Sequence, residues 1–233
     1  MDARRLRPIL LLAVLCLVVT GCGTAARCLP QPLEVIGSPV TFAQVERSVG
    51  VVTACPLPGL GCGQATAFPI GGGYWLTAAS VSRNVGASVF PGAPTGSVVS
   101  LTSGGRRYRA DLARAAPALG YALFEATGTA KVRGLPLGAG SPQPLDAATV
   151  VCAKPARTVA YSGSLFLTTP AVPDATLFEV NSAQAIADCT GGPVLDGGVV
   201  VGVQLFGGAG DAWAAPTFAM TGLPSTSTAG CRS

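Results

Sequence analysis

No stretch constrains this chain more than Asp188-Cys189-Thr190-Gly191-Gly192-Pro193. Paired glycines reach backbone conformations closed to other residues, and the proline after them excludes a continuing helix. A polar run, Asn181 to Ala187, precedes the turn, and the run that follows, Pro193 to Val203, is rich in valine. That order predicts a tight turn feeding a strand. Gly71-Gly72-Gly73 and Gly104-Gly105 punctuate other apolar runs in the same way. With 31 Gly, 19 Pro, 49% hydrophobic and only 11% charged residues, the chain has both core material and many bends. Such a balance excludes disorder through high charge and predicts an all-β fold.

The 233 residues allow one substantial domain or two small ones. Arg4, Arg5 and Arg7 precede an apolar run, Pro8 to Thr20, that is short for a bilayer span and has the layout of an export signal. It ends in Val19-Thr20-Gly21-Cys22, which resembles the lipobox of bacterial lipoproteins. The resemblance implies a signal peptide over 1–21, palmitate-type acylation of Cys22, and a linker over 22–37. Acyl chains on Cys22 would hold the protein at the cell membrane, facing outside the cytoplasm, at about 0.8 kcal/mol per buried methylene.

That compartment decides how the 8 cysteines are read. Cys16 leaves with the signal and Cys22 takes lipid. The remaining Cys28, Cys55, Cys62, Cys152, Cys189 and Cys231 are even in number, as disulfides in an oxidising compartment require. Cys55 and Cys62 flank the turn Pro56 to Gly61 and suit a hairpin staple; Cys28 and Cys231 lie in the two tails and would tie them together. Spacing alone does not choose among the pairings. With no histidine in the chain and no CxxC pair, no metal site or cofactor is expected. A net charge of +4 with scattered arginines gives no sign of nucleic-acid binding. The one basic cluster, Arg106-Arg107-Tyr108-Arg109, reads as a solvated strand edge rather than an anionic partner site.

Three segments carry a further resemblance. Gly71-Gly72-Gly73-Tyr74-Trp75-Leu76-Thr77-Ala78-Ala79-Ser80-Val81 is similar to the segment of trypsin-like serine proteases in which a Gly-Tyr strand runs into Leu-Thr-Ala-Ala-His-Val. Leu119-Gly120-Tyr121-Ala122-Leu123-Phe124-Glu125 resembles that family's Asp-Leu-Ala-Leu-Leu-Lys strand. The turn at 188–193 resembles its nucleophile loop, Gly-Asp/Asn-Ser-Gly-Gly-Pro. The segments stand in family order, and the likeness covers about residues 38 to 223. It implies two packed antiparallel β-barrels, about 38–130 and 131–223, behind a short N-terminal helix, with a tail over 224–233.

At each chemical position the sequence departs from the pattern. Ser80 stands where the histidine belongs, Gly120 where the aspartate belongs (Tyr121 if the alignment slips by one), and Thr190 where the serine belongs. A hydroxyl cannot act as the base that an imidazole of pKa about 6.5 provides. Asp188 takes the place of the oxyanion-hole glycine, where a carboxylate would repel the developing charge. The two-barrel fold also places Cys152, in the first strand of the second half, near Cys189, so the resemblance implies a Cys152–Cys189 disulfide. The competing view is a free Cys189 thiol, with no histidine to activate it.

Other elements follow from local pattern. Ser38 as N-cap and Pro39 at the first helical position predict a helix over Val40 to Arg47. Strands are expected at 49–54, 64–70, 98–101, 106–112, 119–125, 149–153, 164–168, 176–180, 199–206 and 213–216, with a short helix over Phe218 to Leu223. Function divides into an inactive, lipid-anchored protease homologue that binds a peptide or envelope protein, an atypical hydrolase using Thr190 or Cys189, and a scaffold domain without a groove.

Overall fold

A computed structural model describes residues 39–56, 61–84, 98–138, 145–154, 158–167, 177–185, 189–220 and 222–224. The signal region, Cys22, Cys28, Asp188 and Cys231 lie outside the described residues. Apart from one short helix and 3₁₀ turns, the described chain is β. Strands β1 (Gly50–Cys55), β2 (Gly63–Gly71), β3 (Tyr74–Ala78), β4 (Val98–Ser103), β5 (Arg106–Ala116) and β6 (Tyr121–Ala126) close a barrel in the order β1-β2-β3-β6-β5-β4. Strands β7 (Ala147–Ala153), β8 (Thr158–Leu167), β9 (Phe178–Ala185), β10 (Pro193–Asp196), β11 (Val199–Gly207) and β12 (Ala209–Pro216) close a second. Its order, β7-β8-β9-β12-β11-β10, repeats the winding of the first. The fold is the expected pair of antiparallel barrels, and closure leaves no long unpaired sheet edge.

Sequence pattern accounts for most of this. In β5 the inward Ala110 is buried while Arg107, Arg109 and Asp111 face solvent, the alternation of a strand with one wet face. Gly104 and Gly105, both at positive φ, make the two-residue turn from β4 into β5. The run from Pro193 to Val203 is two strands, because Gly197 and Gly198, also at positive φ, fold it into a hairpin.

Three apolar clusters hold the molecule. One fills the first barrel around Trp75, Phe124 and Leu101. Another fills the second around Leu165, Phe178, Val194 and the Cys152 and Cys189 sulfurs. The largest lies between them and draws on Phe68, Leu76 and Tyr121 of the first barrel and Val151, Val203 and Ala215 of the second. The stretch Leu135–Gly138 straps the two together: Leu135 N–H donates to Pro69 O (2.8 Å), and Val200 N–H donates to Pro136 O (2.8 Å). These residues all belong to one compact unit, Leu33–Ser233.

The helical expectations need correction. Helix α1 spans Phe42–Ser48 and is capped by Thr41, not Ser38. Gln44 Oε1 reaches back to the Thr41 N–H (2.7 Å) and sets the start there; Ser38 lies outside the described residues. The helix expected over Phe218 to Leu223 is only a 3₁₀ turn, Thr217–Ala219, because the backbone turns extended at Met220 (φ −81°, ψ 97°) and left-handed at Gly222 (φ 74°). Strand β8 starts at Thr158, well before the expected 164. Strand β9 runs on into the polar segment 181–185, where Ser182 Oγ donates to Ser162 O (2.8 Å).

Candidate functional site

The three stations named by the resemblance lie where the barrels meet. Strand β3 ends at Ala78 and passes into the 3₁₀ turn Ala79–Asn84, which exposes Ser80. Ser82 Oγ donates to Ala79 O (2.7 Å) and holds the turn. Ala79 N–H donates to Gly120 O (2.9 Å), so the Ser80 and Gly120 stations are backbone neighbours.

Gly120 closes the 3₁₀ turn Pro117–Leu119 with φ of 76°, a left-handed conformation that a side chain disfavours. A Cβ there would meet Leu205 Cδ1 at 2.9 Å, Leu205 Cδ2 at 3.0 Å and Ala215 Cβ at 3.1 Å. The station is thus both without a carboxylate and filled by apolar side chains of β11 and β12. Tyr121, the alternative occupant, is fully buried. Burial pushes its hydroxyl up from the ordinary phenol range, with the Arg114 charge opposing, so it stays protonated at neutral pH and is no base.

Thr190 is partly buried in a turn closed by Gly192 N–H donating to Cys189 O (2.8 Å). Its carbonyl accepts Thr66 N–H of β2 (2.8 Å). Gly191, at φ of 83°, donates to Gln204 O (2.7 Å), and Gln204 N–H donates to Gly192 O (2.9 Å). A Cβ on Gly191 would collide with Thr66 O and Thr77 Oγ1 and come within 3.2 Å of Ala78 N. The loop therefore belongs to the second barrel by sequence and is gripped by the first. Thr66 is the hub of that grip. Its Oγ1 accepts Ala153 N–H of β7 (3.1 Å), and its carbonyl accepts Thr77 Oγ1–H (2.6 Å).

Cys189 is disulfide-bonded to Cys152 with Cα atoms 5.0 Å apart, which fixes the loop to β7. Cys55 and Cys62 form a second disulfide between the end of β1 and the start of β2, Cα atoms 4.2 Å apart. The proposed partners Cys28 and Cys231 fall outside the described residues, as does Asp188, so the oxyanion position has no described geometry. Among the described residues no group of Cys, Asp and Glu is placed to hold a metal ion. Arg106, Arg107 and Arg109 are exposed on β5, and the Arg109–Asp111 contact (3.8 Å, side chains 81% and 68% exposed) is the kind that adds little stability.

Sequence reading did not single out Leu205 or Thr66. Leu205 is one more apolar residue in an apolar strand, and nothing near it in sequence signals that it backs Gly120.

Structural comparison gives the fold independently. The active form of the Rv3671c protease from M. tuberculosis superposes with a TM-score of 0.60 at 15% identity, covering 80% of this chain and 86% of that one. An inactive form of the same protein, with a serine-to-alanine substitution, gives 0.57 at 17% identity, over 79% and 91%. The HtrA-type protease AlgW with a tripeptide gives 0.59 at 16% identity, over 75% of this chain and 58% of that one. No protein-family model matches the sequence. No curated protein matches it either. What these likenesses share with the chain is architecture: it has the two-barrel fold of trypsin-like and HtrA-type proteases.

Proposed function

We propose that this chain is a lipid-anchored, extracytoplasmic protein of trypsin-like fold that has no protease activity and holds a peptide or envelope protein against the junction of its barrels. The observation that carries this reading is the Gly120 station, left-handed in its backbone and packed against Leu205 and Ala215. With no histidine anywhere in the chain, neither Thr190 nor any other hydroxyl has an imidazole to take its proton. The disulfide of Cys189 supports the same conclusion, since a bonded sulfur does not attack.

A binding role is supported by the rim of β11. Strand β10 pairs with β11 only as far as Val203, and the backbone of Gln204 is taken by Gly191 and Gly192. On that side Leu205 to Gly207 have no strand partner among the described residues. Phe206, half exposed, stacks on Trp213 at 6.2 Å. An extended peptide adding to this edge would gain backbone hydrogen bonds and an aromatic contact. AlgW, similar in fold, was solved with a tripeptide.

The test is a fluorophosphonate probe followed by casein and a peptide library. The purified protein should show no labelling and no turnover above a Thr190→Ala control. Labelling that depends on Thr190, or an alkylatable Cys189 in untreated protein, would move the chain to the hydrolase class. The anchor is tested separately. Cys22→Ala should leave the protein soluble or uncleaved, and a variant cleaved at the same site yet still partitioning into detergent would remove the lipid from the reading.

A further inference from the structure

Two arginines far apart in sequence, both exposed, line one cleft beside α1. Arg47 and Arg133 line it together with Gln44, Ser48, Leu135 and Val40, around a volume of about 220 Å³. Among the described residues neither guanidinium is ion-paired with a carboxylate, and no Asp or Glu lines the cleft. Like charges that line one cleft repel one another, weakly where water and salt screen them, and an anion bound to both relieves that repulsion.

The walls are fixed rather than pliable. Helix α1 is seated by Val45, which is buried, and Val40 N–H donates to Gly198 O (3.0 Å). Opposite, a Cβ on Gly134 would lie 2.5 Å from Ile70 C and 2.6 Å from Gly71 N, so the backbone that carries Arg133 is pressed onto β2. Arg47 Nε donates to Ala43 O (2.9 Å), which orients the guanidinium along the helix and leaves both Nη groups to donate elsewhere. A role for Arg47 at the helix C-terminus accounts for that Nε bond but not for Arg133 in the same cleft. Gln44 turns its Oε1 to Thr41 N–H, so its amide NH₂ is the group left to donate. The inventory is therefore donors: two guanidinium forks and an amide, over an apolar floor of Val40 and Leu135. Forked donors suit planar or tetrahedral oxyanions, and a nearby apolar surface strengthens such bonds.

We propose that this cleft binds a phosphate-class oxyanion, held by Arg47 and Arg133, whether the phosphate is free in solution or belongs to a lipid headgroup. The site is distinct from the Ser80–Gly120–Thr190 junction and does not rest on the proposed function.

Inorganic phosphate is titrated calorimetrically into the full chain in detergent, with chloride at matched ionic strength as control. Phosphate should bind and raise Tm where chloride does not. Arg47→Gln and Arg133→Gln should each weaken binding about tenfold, as expected for loss of one charge-assisted contact. Arg47→Lys should fall between, because it keeps the charge and loses the fork. Arg107→Gln, on β5 and outside the cleft lining, should change nothing. Unliganded Tm of every variant is measured first, so that a folding defect is not read as lost binding. A vesicle arm separates the sources. The arm uses the soluble Cys22→Ala chain without detergent, so that no acyl anchor contributes. Sedimentation with phosphatidylglycerol vesicles that phosphate competes away, and that Arg133→Gln abolishes, identifies a headgroup; binding of phosphate without vesicle binding identifies a soluble ligand. Equal responses to chloride and phosphate, or undiminished binding in the Arg47→Gln/Arg133→Gln double variant, would overturn the proposal.

Discussion

Gly191→Ala is expected to lower the unfolding free energy by about 4 kcal/mol, the upper range for a single substitution. Two costs combine at this position. The backbone sits at φ of 83°, where a Cβ is disfavoured by roughly 1–2 kcal/mol. The added methyl would also run into Thr66 O and Thr77 Oγ1, which are held by buried hydrogen bonds and cannot step aside; overpacking of this kind costs about 1–3 kcal/mol. Gly197 provides the internal control. Its φ is also positive, at 54°, yet a Cβ there meets nothing within 4 Å, so Gly197→Ala should lose only the conformational part, about 1 kcal/mol. Urea unfolding of the two variants separates the terms. Equal losses would mean that the loop is not clamped between the barrels as described.

The second large effect is a failure. Rebuilding the triad as Ser80→His, Gly120→Asp and Thr190→Ser is expected to give no protease, and Thr190→Ser alone none either, since Ser80 cannot accept its proton. Triad members act as a unit, and loss of one already removes roughly 10⁶-fold in turnover, about 8 kcal/mol. In this chain Gly120→Asp also has a steric cost. The new Cβ would press on Leu205 and Ala215 from a left-handed backbone, so the variant should lose about 2 kcal/mol of stability. Adding Leu205→Ala should recover part of that stability, and any peptide cleavage should emerge only in this fourfold variant. Turnover by the threefold variant with Leu205 intact would show that the station is less closed than its packing indicates.

Legibility in the sequence followed the range of the interactions. Strands β3, β6 and β11 are written as apolar runs between glycine turns, and their positions could be read directly. Strand β8 is only half legible because Ser162 and Gly163 break the run that Thr158, Val159 and Tyr161 begin, and what carries the strand through them is pairing with β7 along its whole length. The extension of β9 through Asn181 was hidden for a related reason. Its carbonyl packs so closely on Gly163 that a Cβ there would collide with it, a contact visible only once both strands are placed. The helix start failed on competing caps, where Ser38-Pro39 carries the stronger familiar signal and the Thr41–Gln44 bond the actual one. At the junction, the residues in the chemical stations were legible from the resemblance, and the closure behind Gly120 was not. Leu205 reaches it across 85 positions, as an ordinary leucine.

The grip of the first barrel on Gly191 bears on how a loop of this kind should be interpreted wherever it is met. Gly191 and Thr66 answer to mechanical demands: a change at either weakens the joint between the two barrels, whatever chemistry the loop performs. Ser80 answers to none, since it is exposed and its turn is held by Ser82. Mutation can therefore wander at residue 80 without structural penalty while the glycines stay pinned. A Gly-Gly-Pro loop is evidence of two barrels that still need fastening, and the informative residue for hydrolysis is the unfastened one beside it.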